Sequence, residues 1–124
     1  MQNDMVENEN PIVEKSFEFA VRIVNLSKYI RRKDKEYVLT KQLLRCGTSI
    51  GANVSEAQRA QSRADFYSKM SIALKEANET YYWLRLLYRT GYINEAEFES
   101  MRSDTDELTR ILVSICKTAS ESRK

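Results

Sequence analysis

Only three glycines and one proline stand among 124 residues, and that scarcity of turn formers restricts the fold more than any other feature. An antiparallel β fold needs a turn about every ten residues, and such turns draw on glycine, proline and asparagine at fixed positions. Long helices with few connections are the reading that remains. A chain of this length encloses one core but not two, so a single domain is expected. Hydrophobic residues make up 42% and charged residues 31%, which fits helices with strongly polar outer faces.

The hydrophobic periodicity predicts four such helices. Residues 1–10, MQNDMVENEN, are polar and acidic without a period and are expected to form a flexible tail. Pro11 suits the first turn of helix one, which should run to about Arg32. Its apolar residues form two adjoining rows, Phe17, Ala20, Val21 and Val24 beside Phe19, Ile23, Leu26 and Ile30. A face that wide suggests burial on more than one side. Asp34 is the expected cap of helix two, which should continue to about Ala60 through Leu39, Leu43, Cys46, Ile50, Val54 and Ala57. Ser62 and Asp65 resemble a capping box that opens helix three, and Gly91 is placed to end that helix in the left-handed conformation. Asn94 and Glu97 repeat the box before helix four, which should reach about Ala119, with residues 120–124 frayed. Amphipathic helices joined by short connections predict an all-α antiparallel up-down-up-down four-helix bundle over residues 11–119.

A second row of helix two reads Leu44, Gly47, Thr48, Gly51 and Ser55. Glycine inside a helix costs about 1 kcal/mol relative to alanine, and a helix packed against the bare backbone offsets that cost. The packed helix belongs either to the same chain or to another subunit. On helix three, Phe66, Met70, Ala73, Ala77, Tyr81 and Leu84 form a core stripe, while the neighbouring row Ile72, Glu76, Glu79, Trp83 and Leu86 mixes two carboxylates with the only tryptophan. Aromatic anchors beside polar groups suit the edge of a subunit interface. The expected oligomer contact therefore comprises Gly47, Gly51, Asn53, Glu56, Glu76, Glu79, Trp83 and Leu86. A broad core face with solvated glutamates is the plainer alternative for the helix-three row.

Chemistry is sparsely provided. The chain has no histidine, which removes His-dependent triads, the usual general base near neutral pH and the Glu-x-x-His ligand pairs of di-iron bundles. Gly47 and Gly51 sit within a helical pattern and form no phosphate loop. Glu76 and Glu79, with Glu56 approaching from helix two, offer three carboxylates that suit a hard divalent cation or an acid–base pair; a polar network at a subunit contact is the simpler reading. No catalytic, metal-binding or cofactor-binding residue is assigned. Cys46 and Cys116 lie in apolar helical patterns outside any CxxC pair and read as small core residues.

A net charge of +2 falls short of the balance expected of a dedicated nucleic-acid binder, so phosphate contact would depend on local clustering. The candidates are Arg31, Arg32, Lys33 and Lys35 at the first corner and Lys41, Arg45, Arg59 and Arg63 as a stripe along helix two. Arg31, Arg32 and Lys33 also sit where cations meet the negative end of a helix macrodipole, and solvated helix faces look much the same. With no run of about 18 apolar residues and no basic start to the acidic opening, neither a membrane span nor a signal peptide is expected, and the protein is placed in the cytoplasm.

The central stretch carries Leu43, the run Gly47, Thr48, Ser49, Ile50, Gly51, Ala52, Asn53, Val54, then Glu56 and Ala57, followed by Asp65, Phe66, Lys69, Ile72, Ala73, Lys75, Glu76, Glu79, Thr80, Trp83 and Leu84. In this order and spacing it resembles the bacterial four-helix-bundle family named after the 23S rRNA intervening-sequence protein, from about Phe17 to Ile115. The resemblance implies a bundle assembled as a homopentameric ring. Relatives called accessory variability determinants assist reverse transcriptases and bind nucleic acid through basic surfaces of such a ring. For this chain the resemblance implies a non-enzymatic oligomeric module associated with RNA, DNA or a nucleic-acid-processing protein; the alternative is a protein-only assembly scaffold.

Overall fold

The computed structural model describes residues 10–123, so only Asn10 of the expected N-terminal tail falls within it. Four helices account for nearly all of these residues: α1 Pro11–Asp34, α2 Val38–Ala57, α3 Arg63–Arg89 and α4 Glu95–Arg123. Among the described residues there is no strand.

Each boundary has a local cause. Pro11 stands in the first turn of α1, where its missing N–H is no loss. At the other end Lys35 turns left-handed (φ 55°) and donates its N–H to the Arg31 carbonyl at 3.0 Å. Asp34 is consequently the last residue of α1 and does not cap α2, contrary to the expectation from sequence. Glu36 takes that role from within the short connection: its carboxylate accepts from the N–H groups of Val38, Leu39 and Thr40, each at 2.9 Å. Helix α2 stops at Ala57, short of the expected Ala60, and turns through Gln58 and Arg59.

Ser62 caps α3 by accepting from the Asp65 N–H at 3.0 Å, while the Asp65 carboxylate reaches past Ser62 to the Gln61 N–H at 3.3 Å. Where α3 ends, Gly91 adopts φ 88°, and Tyr92 and Gly91 donate back to the carbonyls of Leu87 and Tyr88 at 2.9 and 3.1 Å. That bond pair is a Schellman closure, which needs the left-handed residue glycine supplies. The second capping box forms in both directions, Asn94 N–H to Glu97 and Glu97 N–H to Asn94, at 2.8 Å each. Helix α4 then runs past Ala119 to Arg123, beyond the predicted fraying point.

All four helices feed one core, with Phe19 and Ile23, Leu43 and Ile50, Met70 and Leu84, and Leu108 and Leu112 among its buried members. Helices adjacent in sequence pack together, and α1 also meets α4 over a sparser contact; α1 does not touch α3, nor α2 α4. Only one of the two apolar rows on α1 is buried within the chain. Phe19, Ile23 and Ile30 are enclosed, whereas Phe17 stays 61% and Val21 41% exposed.

The glycine row is explained by the α1 contact. A Cβ on Gly47 would lie 2.8 Å from Ile23 Cγ1, and one on Gly51 would lie 3.1 Å from the Ser16 carbonyl oxygen. Both glycines therefore let α2 approach α1 of the same chain. Of the two neighbours the sequence left open, the same chain supplies the one that packs against them.

Candidate functional site

Two groups of residues carry the polar chemistry. The first bridges the middle of α2 and α3. Arg45 projects from α2 and its guanidinium pairs with the Glu79 carboxylate, with the Glu76 carboxylate 3.6 Å away. Gln42, one turn back on α2, accepts from the Arg45 Nε and Nη2 at 3.2 Å. Trp83 closes the group: its indole Nε1 donates to Glu79 Oε2 at 3.0 Å, and its ring meets Tyr82 edge-on at a centroid distance of 5.0 Å. The indole hydrogen bond and the Arg45 guanidinium outweigh partial burial and hold the Glu79 carboxyl below the usual carboxylate range.

Trp83 is half-buried and packs against the chain's own core. Its place in the row with Glu76 and Glu79 thus has a sufficient reason inside one chain. Leu86 is half-buried too, and the open members of this side of α3 are Ile72, 40% exposed, and Tyr82, 55% exposed. Asn53 is half-buried and donates to the Ser49 carbonyl at 2.9 Å.

Glu56 does not join the two glutamates. From Arg45, opposite Glu79, α2 rises by about 16 Å before reaching Glu56, so the three-carboxylate cluster considered from sequence does not form. Among the described residues no group of three or more potential ligand side chains is placed to hold a metal ion. Cys46 is buried and Cys116 half-buried; burial pushes both thiols up, away from the reactive thiolate.

The second group is basic, and the structure divides it. Arg31, Arg32, Lys33 and Lys35 gather where α1 gives way to α2, with Lys41 at the start of α2. Arg59 lies in the turn after Ala57 and Arg63 opens α3, at the opposite end of α2. About 30 Å of helix separates the two corners, with Arg45 between them already held by Glu79. The continuous stripe expected from the sequence is therefore two separate corners.

At the first corner the cations differ in what engages them. Arg31 donates to Thr40 Oγ1 at 2.8 Å and lies over the Tyr37 ring, 5.6 Å from its centroid. Lys33 pairs with Asp34, which raises its pKa, and lies 5.5 Å over the Tyr29 ring. Among the described residues the side chains of Arg32, Lys35 and Lys41 have no ion-pair or hydrogen-bond partner, and all three are exposed. Tyr37, 55% exposed, and Val38, 73% exposed, stand beside them. Neither is among the residues that the sequence pattern singles out, although an aromatic residue set between Lys35 and Lys41 is a signal that could have found Tyr37.

An open groove of about 710 Å³ lies at the other end, lined by Ala57, Arg63, Phe66, Ile115 and Ala119 among others. Among the described residues no carboxylate lines it. Among the described residues no helix is long and apolar enough to cross a membrane.

None of the curated proteins matches the chain. Among solved structures it is similar to the crystal structure of a protein of unknown function from the S23 ribosomal protein family of Bacteroides thetaiotaomicron. Identity is 58%, the match covers 86% of this chain and 98% of that one, and the TM-score is 0.84. The family model described as 23S rRNA-intervening sequence protein matches residues 8–114. With most of its length inside that match, the chain belongs to the 23S rRNA-intervening sequence protein family.

Proposed function

We propose that this protein is a non-enzymatic RNA-associated module, an up-down-up-down helical bundle that acts as a homo-oligomer, with a pentameric ring as the assembly. The observation that carries the RNA reading is the α1–α2 corner. Arg32, Lys35 and Lys41 are exposed there without partners among the described residues, and cations so grouped at one corner suit phosphate better than cations already bonded to carboxylates. The family's description, which names an rRNA intervening sequence, agrees with an RNA partner. Repetition around a ring would multiply a weak patch through avidity without new contacts. The up-down topology is supported by contacts in which one residue number rises as its partner's falls: Ser16 with Gly51 and Ile23 with Gly47 between α1 and α2, Ser71 with Cys116 and Tyr81 with Phe98 between α3 and α4, and Lys15 with Glu107 and Arg22 with Asp104 between α1 and α4.

A protein-only scaffold is the second reading, and one observation favours it. Arg45, the central cation of the expected stripe, is occupied by Glu79 and Glu76. The two readings separate in a gel shift with structured RNA at about 50 and 200 mM salt, over which phosphate contacts weaken steeply. Wild-type protein should bind at the lower salt, and Arg32→Glu with Lys35→Glu should abolish binding while the helical circular dichroism is unchanged. Binding that is absent at both salts, or indifferent to the double charge reversal, overturns the RNA reading at this corner. Reversing Arg45 would be a poor test, because it would also break the contact with Glu79 that joins α2 to α3.

A further inference from the structure

The α1–α2 corner holds more than charge, and its other features bear on which form of RNA it suits. Tyr37 immediately precedes α2 and leaves more than half of its surface open. The Arg31 guanidinium, fixed by Thr40, covers the ring at 5.6 Å. A cation on one side of an aromatic ring leaves the other side available, and a nucleobase can stack there.

The N-terminus of α2 does not compete for the phosphate. Its first N–H groups are taken by the Glu36 carboxylate, so an incoming anion must be held by side chains. Arg32, Lys35 and Lys41, on either side of Tyr37 in the chain, have no partner among the described residues and can do so. Val38, next in the chain and at 73% exposure the most open large hydrophobic among the described residues, adds apolar surface to the corner.

We infer that this corner is a stacking site for an unpaired base, with Tyr37 as the platform and Arg32, Lys35 and Lys41 on the flanking phosphates, so that the RNA bound is single-stranded or looped. The inference rests on the proposed RNA association and narrows it. Bases paired within a duplex present no free face, and an A-form helix offers a side chain mainly its backbone. Charge alone would not distinguish the two forms in this way, whereas a stacking platform does.

The test is fluorescence anisotropy with a labelled RNA of about twelve nucleotides, presented alone and annealed to its complement, at constant salt. Wild-type protein should bind the single strand several-fold more tightly than the duplex. Tyr37→Ala should weaken single-strand binding by about tenfold, the order expected on losing one stacked base, and leave duplex binding unchanged. Tyr37→Phe should restore the preference, which separates stacking from loss of the hydroxyl. Because Tyr37 is exposed, both variants should keep the helical circular dichroism of the wild type. Unchanged single-strand affinity in Tyr37→Ala overturns the stacking site while the RNA reading stands. Failure of wild-type protein to bind either form overturns both.

Discussion

At the scale of single residues, the tightest constraint is the contact between Gly47 and Ile23. Ile23 is fully enclosed, and the three atoms that an added Cβ would meet, Cγ1, Cγ2 and Cδ1 at 2.8, 2.9 and 3.0 Å, cannot all swing away. Alanine gains about 1 kcal/mol in helix propensity over glycine, but forcing a methyl group into a packed interior costs about 1–3 kcal/mol. With every branch of Ile23 obstructed, the steric cost should win, and Gly47→Ala should lower unfolding stability by about 1 kcal/mol in urea titration. In an Ile23→Ala background the obstruction is gone, so the same change should become neutral or stabilising. A Gly47→Ala penalty of equal size in both backgrounds would refute the contact as its cause. Gly51 meets backbone rather than side chain, at 3.1 Å from the Ser16 carbonyl. The need for close approach was legible in the glycine spacing; the identity of the neighbour was not, because helical periodicity gives the face a residue occupies and says nothing of what lies across from it.

At the scale of helices, the N-terminus of α2 depends on Glu36. Burial would raise its pKa, but hydrogen bonds from the Leu39, Thr40 and Val38 N–H groups outweigh that and hold the carboxyl below its ordinary value. A carboxyl depressed in the folded state contributes stability that is present above its unfolded pKa, about 4.3 for glutamate, and lost as pH falls through the folded value. Glu36→Gln should therefore cost about 1 kcal/mol at pH 7, the usual size of an N-terminal cap. At pH 3 the gap between variant and wild type should narrow, because protonation makes the native carboxyl resemble the amide. An equal gap at both pH values, measured by urea denaturation, would show that charge at this cap is immaterial. Sequence rules favour short side chains such as Asp34 as caps, and they point one helix too early here because Lys35 turns left-handed first. The Asn94 and Glu97 box and the Gly91 closure were legible, since each is written in residues that interact within five positions. The joining of Arg45 to Glu79 and Trp83 was not, because it depends on how α2 and α3 rotate against each other; the sequence showed only that Glu76, Glu79 and Trp83 share a side of α3.

At the scale of the molecule, the proposed ring requires two unlike faces, since copies related by a single five-fold axis meet head to tail. Two sets of exposed apolar residues fit that need: the neighbouring Phe17 and Val21 on α1, and Ile72 and Tyr82, about 15 Å apart along α3. Helices α1 and α3 do not touch, and both contact α2 and α4, so they are diagonal in the bundle and their outer faces point away from each other. Substituting Trp83 would probe this poorly, because its indole is packed on the subunit core and bonded to Glu79, and loss of assembly could not be told from loss of fold. The exposed pairs avoid that confusion. Phe17→Glu with Val21→Glu in one protein, and Ile72→Glu with Tyr82→Glu in another, should each give a folded monomer by light scattering while the wild type is oligomeric. Each variant keeps one face intact, so an equimolar mixture should form a dimer that stops at two subunits, its remaining faces both blocked. Isologous pairing predicts a different outcome: the variant whose damaged face lies outside the contact would assemble alone, and mixing would add nothing. A wild-type monomer at micromolar concentration would remove the ring altogether, and with it the avidity on which a corner of so few cations depends.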